Sequence, residues 1–265
     1  MILQKIVENK REEVARQKEI LPLGELRQML ADRPPTRDFE GAIRDRGCAV
    51  IAEVKRSSPS KGQLAEIPEP AALAAEYEAG GASAISVLTE QRRFSGSLAD
   101  LDAVRERVGI PVLRKDFMVE PYQVWEARAH GADLVLLIVA ALTDRQLTTM
   151  ARVATSLGMT CLVEVHTAEE IARAVDSGVV LLGVNNRDLK TLEVDPGTFA
   201  RLAEYVPAGI VKVAESGLTD ATDAANAAAA GADVVLVGEA LVRDSAPRRA
   251  VADMIEAGTL ARKRS

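Results

Sequence analysis

The 265-residue sequence predicts a (β/α)8 barrel with an amino-terminal helical extension, and three observations predict it. Apolar, β-rich runs recur from residue 48 onward about every 20 to 35 residues, each followed by a helical pattern, which is the rhythm of repeated βα units. There are eight such runs, enough to close a parallel ring. Polar residues gather where the runs end, the end at which barrels of this kind keep their chemistry. An open doubly wound sheet shares the rhythm, but it would want a nucleotide fingerprint. No GxGxxG follows the first run, and GxxxxGK(S/T) occurs nowhere.

Residues 1–47 precede the first run and carry two helical segments, about 2–19 and 22–31, before a break at Pro34 and Pro35. This extension is expected to pack on the barrel, either as a cap over one mouth or as a solvated, stabilising addition, within one domain spanning 1–265. The runs are CAVIAEV (48–54), ASAISVL (82–88), IPVLRK (110–115), ADLVLLI (132–138), MTCLVEV (159–165), VVLLGV (179–184), GIVKVAE (209–215) and ADVVLVG (232–238). In the first, alternation places Ala49, Ile51, Glu53 and Lys55 on one face and Val50, Ala52 and Val54 on the other. Both faces begin apolar, so charges at the far end imply that this end opens onto a wet cavity. Gly81-Ala82-Ser83, Gly131-Ala132-Asp133 and Gly231-Ala232-Asp233 form a weak internal repeat in which a glycine stops a helix and a strand follows at once. Thr143 with Gln146, and Thr167 with Glu170, have capping-box spacing at helix starts.

Composition narrows the function. A net charge of −6 and only 3% aromatic residues, with no basic stripe, argue against general nucleic-acid binding. Cys48 and Cys161 lie in apolar runs without CxxC spacing and read as small buried hydrophobes in a reducing compartment. The amino terminus lacks a signal-peptide core, and no apolar run reaches the roughly 18 residues that span a bilayer, so a soluble, cytoplasmic protein is expected. No HExxH, Cys/His cluster or nucleophile elbow argues for a metal or a serine nucleophile.

The run ends supply the candidate site: Glu53, Lys55 and Ser58 from the first; Lys115 and Asp116 from the third; Glu164 and His166 from the fifth. The sixth gives Asn185, Asn186 and Arg187, and the seventh gives Glu215 and Ser216. The turns AESGL and VGEAL bring Ser216, Gly217, Gly238 and Glu239, whose backbone N–H groups suit an anion, where barrels bind phosphate. A carboxylate would repel that anion, so only the backbone of Glu239 is expected to face it, with the side chain turned to solvent. Burial and neighbouring cations are expected to lower the pKa of Lys55 and Lys115, and partial burial to raise that of Glu164. A purely structural network, with Glu53 paired to Lys55 or Lys115, is the inert alternative. His166, on a loop at a strand exit, reads as a bystander, and His130 as a partner of the last carbonyls of its helix.

In order along the chain, IAEVKRSSPSKG, LRKDF, EVH, NNRDL, AESG and LVGEAL, with ILQKIVENKREEV at the start, resemble the indole-3-glycerol-phosphate synthase family over nearly the whole length. The resemblance implies a (β/α)8 barrel and no cofactor. It implies an enzyme that converts 1-(2-carboxyphenylamino)-1-deoxyribulose 5-phosphate to indole-3-glycerol phosphate, closing a ring and releasing carbon dioxide and water. By the family pattern Lys115 is the general acid on the ketone, Glu164 the base or acid in dehydration, Glu53 the tuner of the lysines and Lys55 the holder of the substrate carboxylate. Which lysine acts at which step is left open. Asn185 is expected to meet a hydroxyl, Glu215 to join the catalytic group, and Arg187 to bind a carboxylate. Ser58, Ser216, Gly217, Gly238 and Glu239 would cradle the phosphate, and Pro59, Phe94, Phe117, Leu136 and Leu189 would wall the aromatic ring or serve as ordinary packing. Another phosphate-binding barrel, such as phosphoribosylanthranilate isomerase or an imidazole-pathway enzyme, would favour Cys/Asp or paired Asp, and a noncatalytic barrel would lose Lys115 or Glu164. A monomer acting on a small phosphorylated molecule, with no nucleic acid and no membrane, is the expected state.

Overall fold

A computed structural model describes residues 2–263. Eight parallel strands close a barrel: β1 (Ala49–Val54), β2 (Ala84–Leu88), β3 (Val112–Lys115), β4 (Leu134–Ile138), β5 (Thr160–Val165), β6 (Leu181–Asn185), β7 (Val211–Glu215) and β8 (Val234–Val237). Every run expected to be a strand is one, and closure, with β1 pairing both β2 and β8, rules out the open sheet. The alternation read from the first run holds. Ala49 and Ile51 join an inner cluster with Leu113, Leu136, Leu162 and Leu236, while Val50, Ala52 and Val54 join the outer layer beneath the helices.

The outer layer is set by stripes and stops. In α8 (Asp144–Ser156) the capping box of Thr143 and Gln146 is present, and Leu147, Met150 and Ala154 face the sheet at helical spacing. The repeated glycines Gly81, Gly131 and Gly231 have φ of +96°, +80° and +97°, the left-handed conformation that ends a helix before a strand. Beyond them the repeat does a second job at the base of the barrel. Asp133 Oδ2 accepts the Val112 N–H (2.9 Å) and Asp233 Oδ2 accepts the Lys212 N–H (2.8 Å), each pinning the start of the preceding strand. An arginine from an outer helix pairs with each aspartate, Arg105 with Asp133 and Arg262 with Asp233. Among the described residues no helix is long and apolar enough to cross a membrane.

The extension forms α1 (Ile2–Ile20), α2 (Leu23–Met29) and a short α3 (Phe39–Ile43) that hydrophobic periodicity did not reveal, because only five residues are helical there. Leu3, Ile6, Val7, Lys10 and Val14 are the buried stripe of α1. Lys10 is only 2% exposed: its Nζ meets Asp116 Oδ1 at 3.0 Å and Glu13 Oε1 at 2.9 Å. Burial alone would lower its pKa, but Asp116 and Glu13 outweigh burial and raise it. Lys10→Met removes one partner of a buried pair and is expected to cost about 3 kcal/mol, measured by urea unfolding.

Candidate active site

The candidate residues drawn from the sequence, except His166 and Asn186, line one cavity of about 790 Å³ at the carboxyl ends of the strands. Its floor is ionic. Lys115 Nζ, from the end of β3, lies 3.0 Å from Glu215 Oε2, 3.7 Å from Glu53 Oε2 and 3.9 Å from Glu164 Oε2, so one ammonium meets carboxylates from β7, β1 and β5. Lys55 Nζ sits 3.0 Å from Glu53 Oε1, and Ser86 Oγ donates to Glu53 Oε2 at 3.1 Å. Glu53 thus pairs with both lysines. Room for this cluster depends on β6: a Cβ on Gly183 would stand 2.0 Å from Glu215 Oε1.

Electrostatics reverse one expectation. Burial would lower the Lys115 pKa, but Glu215, Glu53 and Glu164 together overcome it and the pKa is raised; neighbouring anions, absent from a linear reading, decide the sign. Burial would raise Glu53, yet Lys55, Lys115 and the Ser86 hydroxyl hold it below the ordinary carboxylate range. Glu215 is the carboxyl that burial lifts. With Glu164 and Glu53 adding to burial, it rises to about 7 against the pull of Lys115. Its ordinary value is 4.5, so its protonated form favours the native state; that contribution is complete below about 4.5 and is lost as pH rises through about 7. Glu215→Gln is therefore expected to remove part of the decline in urea midpoint between about pH 5 and 7, and parallel curves for the two proteins would refute the assignment.

Around the floor, the turn after β7 places Ser216 (φ +64°) and Gly217 (φ +75°) consecutively in the left-handed region, a concave run of backbone. A Cβ on Gly217 would stand 2.6 Å from Val194 Cγ1, so the turn also needs the space glycine leaves. Asn186 braces this turn, donating from Nδ2 to Ser216 O (3.0 Å) and accepting the Phe199 N–H at Oδ1 (2.8 Å), which makes it a support. The Asn185 side-chain oxygen accepts the Arg187 N–H at 2.9 Å. Arg187 Nη1 reaches Leu192 O (2.8 Å) and Ser60 Oγ (3.2 Å), so local contacts already hold its guanidinium in place. The Ser58 hydroxyl is buried without a partner among the described residues. On the apolar side the rings of Phe94 and Phe117 stand 6.4 Å apart.

A profile described as Indole-3-glycerol phosphate synthase matches residues 3–254. The chain belongs to that family. The indole-3-glycerol phosphate synthase of Kineococcus radiotolerans is 57% identical over 262 residues, covering 97% of this chain and 96% of that relative. Indole-3-glycerol phosphate synthase 1 of Streptomyces coelicolor is 58% identical over 257 residues, with the same two coverages. Among solved structures, 3-hexulose-6-phosphate synthase from Salmonella typhimurium superposes with a TM-score of 0.67 at 16% identity, covering 81% of this chain and 99% of that one, which speaks for the barrel alone. As a member of the indole-3-glycerol phosphate synthase family the chain is a decarboxylating, ring-closing enzyme, and the isomerase and noncatalytic readings fall away.

Against that background three differences from the sequence reading stand out. The Glu239 carboxylate does not turn to solvent; Lys61 (2.7 Å) and Arg243 (3.0 Å) hold it at the rim of the cavity. His130 pairs its ring with Asp102 (3.0 Å), while its backbone N–H takes the helix carbonyl of Glu126. Ile2, Leu3 and Ile6 of α1 line the cavity, a contribution that the stripe of α1 signals only as burial, without saying against what. Cys48 is buried, and burial pushes its thiol up to about 11; burial pushes Cys161 up to about 12. Among the described residues no group of three or more His, Cys, Asp or Glu could hold a metal.

Proposed function

We propose that this cavity closes the pyrrole ring of 1-(2-carboxyphenylamino)-1-deoxyribulose 5-phosphate with Lys115 as the acid. The single observation that carries the assignment is one partly buried ammonium within 3.9 Å of three carboxylates delivered by three other strands. Its raised pKa keeps Lys115 charged at neutral pH, so it can donate to the ketone oxygen as the ring carbon bearing the carboxylate attacks. Loss of carbon dioxide restores the aromatic ring, the hydroxyl takes a proton from one of the two lysines and leaves as water, and Glu164 takes the ring proton released in that step. Glu53 orients both lysines, Lys55 binds the anthranilate carboxylate, and Asn185 Nδ2 meets a substrate hydroxyl. Arg187 closes the carboxylate side. Glu215, poised near neutrality, buffers the proton count of the cluster.

The phosphate falls to Ser58 and to the backbone of Ser216, Gly217, Gly238 and Glu239, the Glu239 carboxylate being neutralised by Lys61 and Arg243. Pro59, Phe94, Phe117, Leu136 and Leu189 face the aromatic ring, with Ile2, Leu3 and Ile6 covering it from α1. Residues 1–47 and the barrel act as one domain in a monomeric, cytoplasmic enzyme. Support for the monomer is that, among the described residues, the large exposed apolar side chains Ile2, Ile20, Val180, Tyr205 and Leu260 fall on four separate segments, Ile2 and Ile20 at opposite ends of α1.

The direct test is incubation of the purified protein with this substrate, without metal or nucleotide, following indole fluorescence; no rise would overturn the reading. Glu164→Gln keeps the shape but loses the titrating group and is expected to lower kcat about 10²- to 10⁴-fold and to abolish one limb of the pH–rate profile.

A further inference from the structure

Behind Glu164, outside the lining of the cavity, lies a histidine that the sequence reading set aside. His166 follows β5 by one residue, and alternation puts it on the same side of the chain as Glu164. Its Nε2 stands 3.4 Å from Glu164 Oε1 and its Nδ1 stands 3.3 Å from Glu170 Oε2, with the side chain 12% exposed. Glu170 is tied down on its own account. It sits in the first turn of α9 (Ala168–Asp176), where its N–H donates to the Thr167 hydroxyl, and its carboxylate accepts the backbone N–H of His166 at 2.7 Å. The carboxylate therefore turns back to His166 in place of the reciprocal bond a full capping box would make.

We propose that His166 is a positioning residue, clasped between Glu164 and Glu170 as an imidazolium, which fixes the Glu164 carboxylate for the reaction. A neutral imidazole has one N–H and one lone pair, so with a carboxylate beside each nitrogen one carboxylate would face a lone pair; only the cation offers a donor to both. Among the described residues the buried Nε2 atom has no hydrogen-bond partner, and the Glu164 Oε1 it faces stands 3.4 Å away. The groups that face the ring are Glu164 from β5, Glu170 from α9, Glu215 from β7 and Asp188 from the loop after β6; all four are acidic. Lys115 meets the other oxygen of Glu164, Oε2, at 3.9 Å. Burial would lower the His166 pKa, but the Glu170 bond and the surrounding carboxylates outweigh it and raise it above 6.5. His166 is thus charged below its raised value and loses that charge as pH climbs through it.

The catalytic half of the inference rests on Glu164 acting as proposed above, so the test separates the two. The chain has two histidines, and His130→Gln assigns their ring signals in a nitrogen-15 NMR titration of the otherwise intact protein. The expected result is that His166 is protonated at pH 7 and that Glu164→Gln lowers its pKa by about one unit or more. A neutral His166 at pH 7, or a titration indifferent to Glu164→Gln, overturns the pairing without any reference to turnover. In kinetics, His166→Gln is expected to move the acid limb of kcat upward by about one pH unit and to leave KM within about twofold, since the ring does not line the cavity. An unmoved limb, or a loss of melting temperature with normal kcat at every pH, overturns the positioning role. Full turnover in Glu164→Gln would instead remove the role of Glu164, while the NMR coupling would still report on the clasp. Should His166→Gln fail to fold, the titration of the protein with native His166 decides.

Discussion

Lys115→Met is expected to reduce kcat at least about 10³-fold while substrate still binds, because it removes a proton donor whose interaction strengthens only as the ketone oxygen gains charge. The site makes the loss larger than that of an ordinary donor. Glu215, Glu53 and Glu164 converge on this one ammonium, and without it their carboxylates are left facing one another in the floor of the cavity. Pre-steady-state mixing with substrate checks this: binding should persist, and indole fluorescence should fail to develop. Turnover within tenfold of the native rate would remove Lys115 from its role. Arginine should not rescue, since its rigid fork and far higher pKa suit it to holding an anion and not to releasing a proton.

Gly183→Ala, a change of one methyl group at a position that has no side chain in the reaction, is expected to cost about as much activity as loss of a catalytic side chain. The added Cβ would stand 2.0 Å from Glu215 Oε1 and 3.2 Å from Leu162 Cδ1, so the carboxylate must swing away from Lys115. Displacement breaks the 3.0 Å contact and leaves Lys115 with Glu53 and Glu164 alone. Overpacking of this kind costs about 1–3 kcal/mol of stability, and misplacing a catalytic group by an ångström costs about 10²-fold in rate. A melting curve and kcat measured on the same preparation separate the two; native values of both would mean that Glu215 has another place to go.

Much of this was legible in the chain. The strands stood out because each is a short apolar run bounded by glycine, and the candidate residues stood out because a barrel brings strand ends together whatever their distance in sequence. The failures share a cause, which is that pairing across the barrel is not written locally. The pKa of Lys115 is set by glutamates 49 to 100 positions away, and Gly183 reads as an ordinary strand residue until Glu215 is placed beside it. His166 is the opposite case. Its signal, EVHTAEE, was local: a histidine two residues after one glutamate and four before another.

The aspartates of the glycine-alanine repeat, Asp133 and Asp233, stand four strands apart and anchor the barrel at the end remote from the reacting groups. Durability and chemistry therefore occupy opposite poles of the molecule. Heat tolerance can be adjusted through Arg105 or Arg262 while the proton-transfer machinery keeps its geometry, so selection for a hotter or colder habitat need not compete with selection for speed.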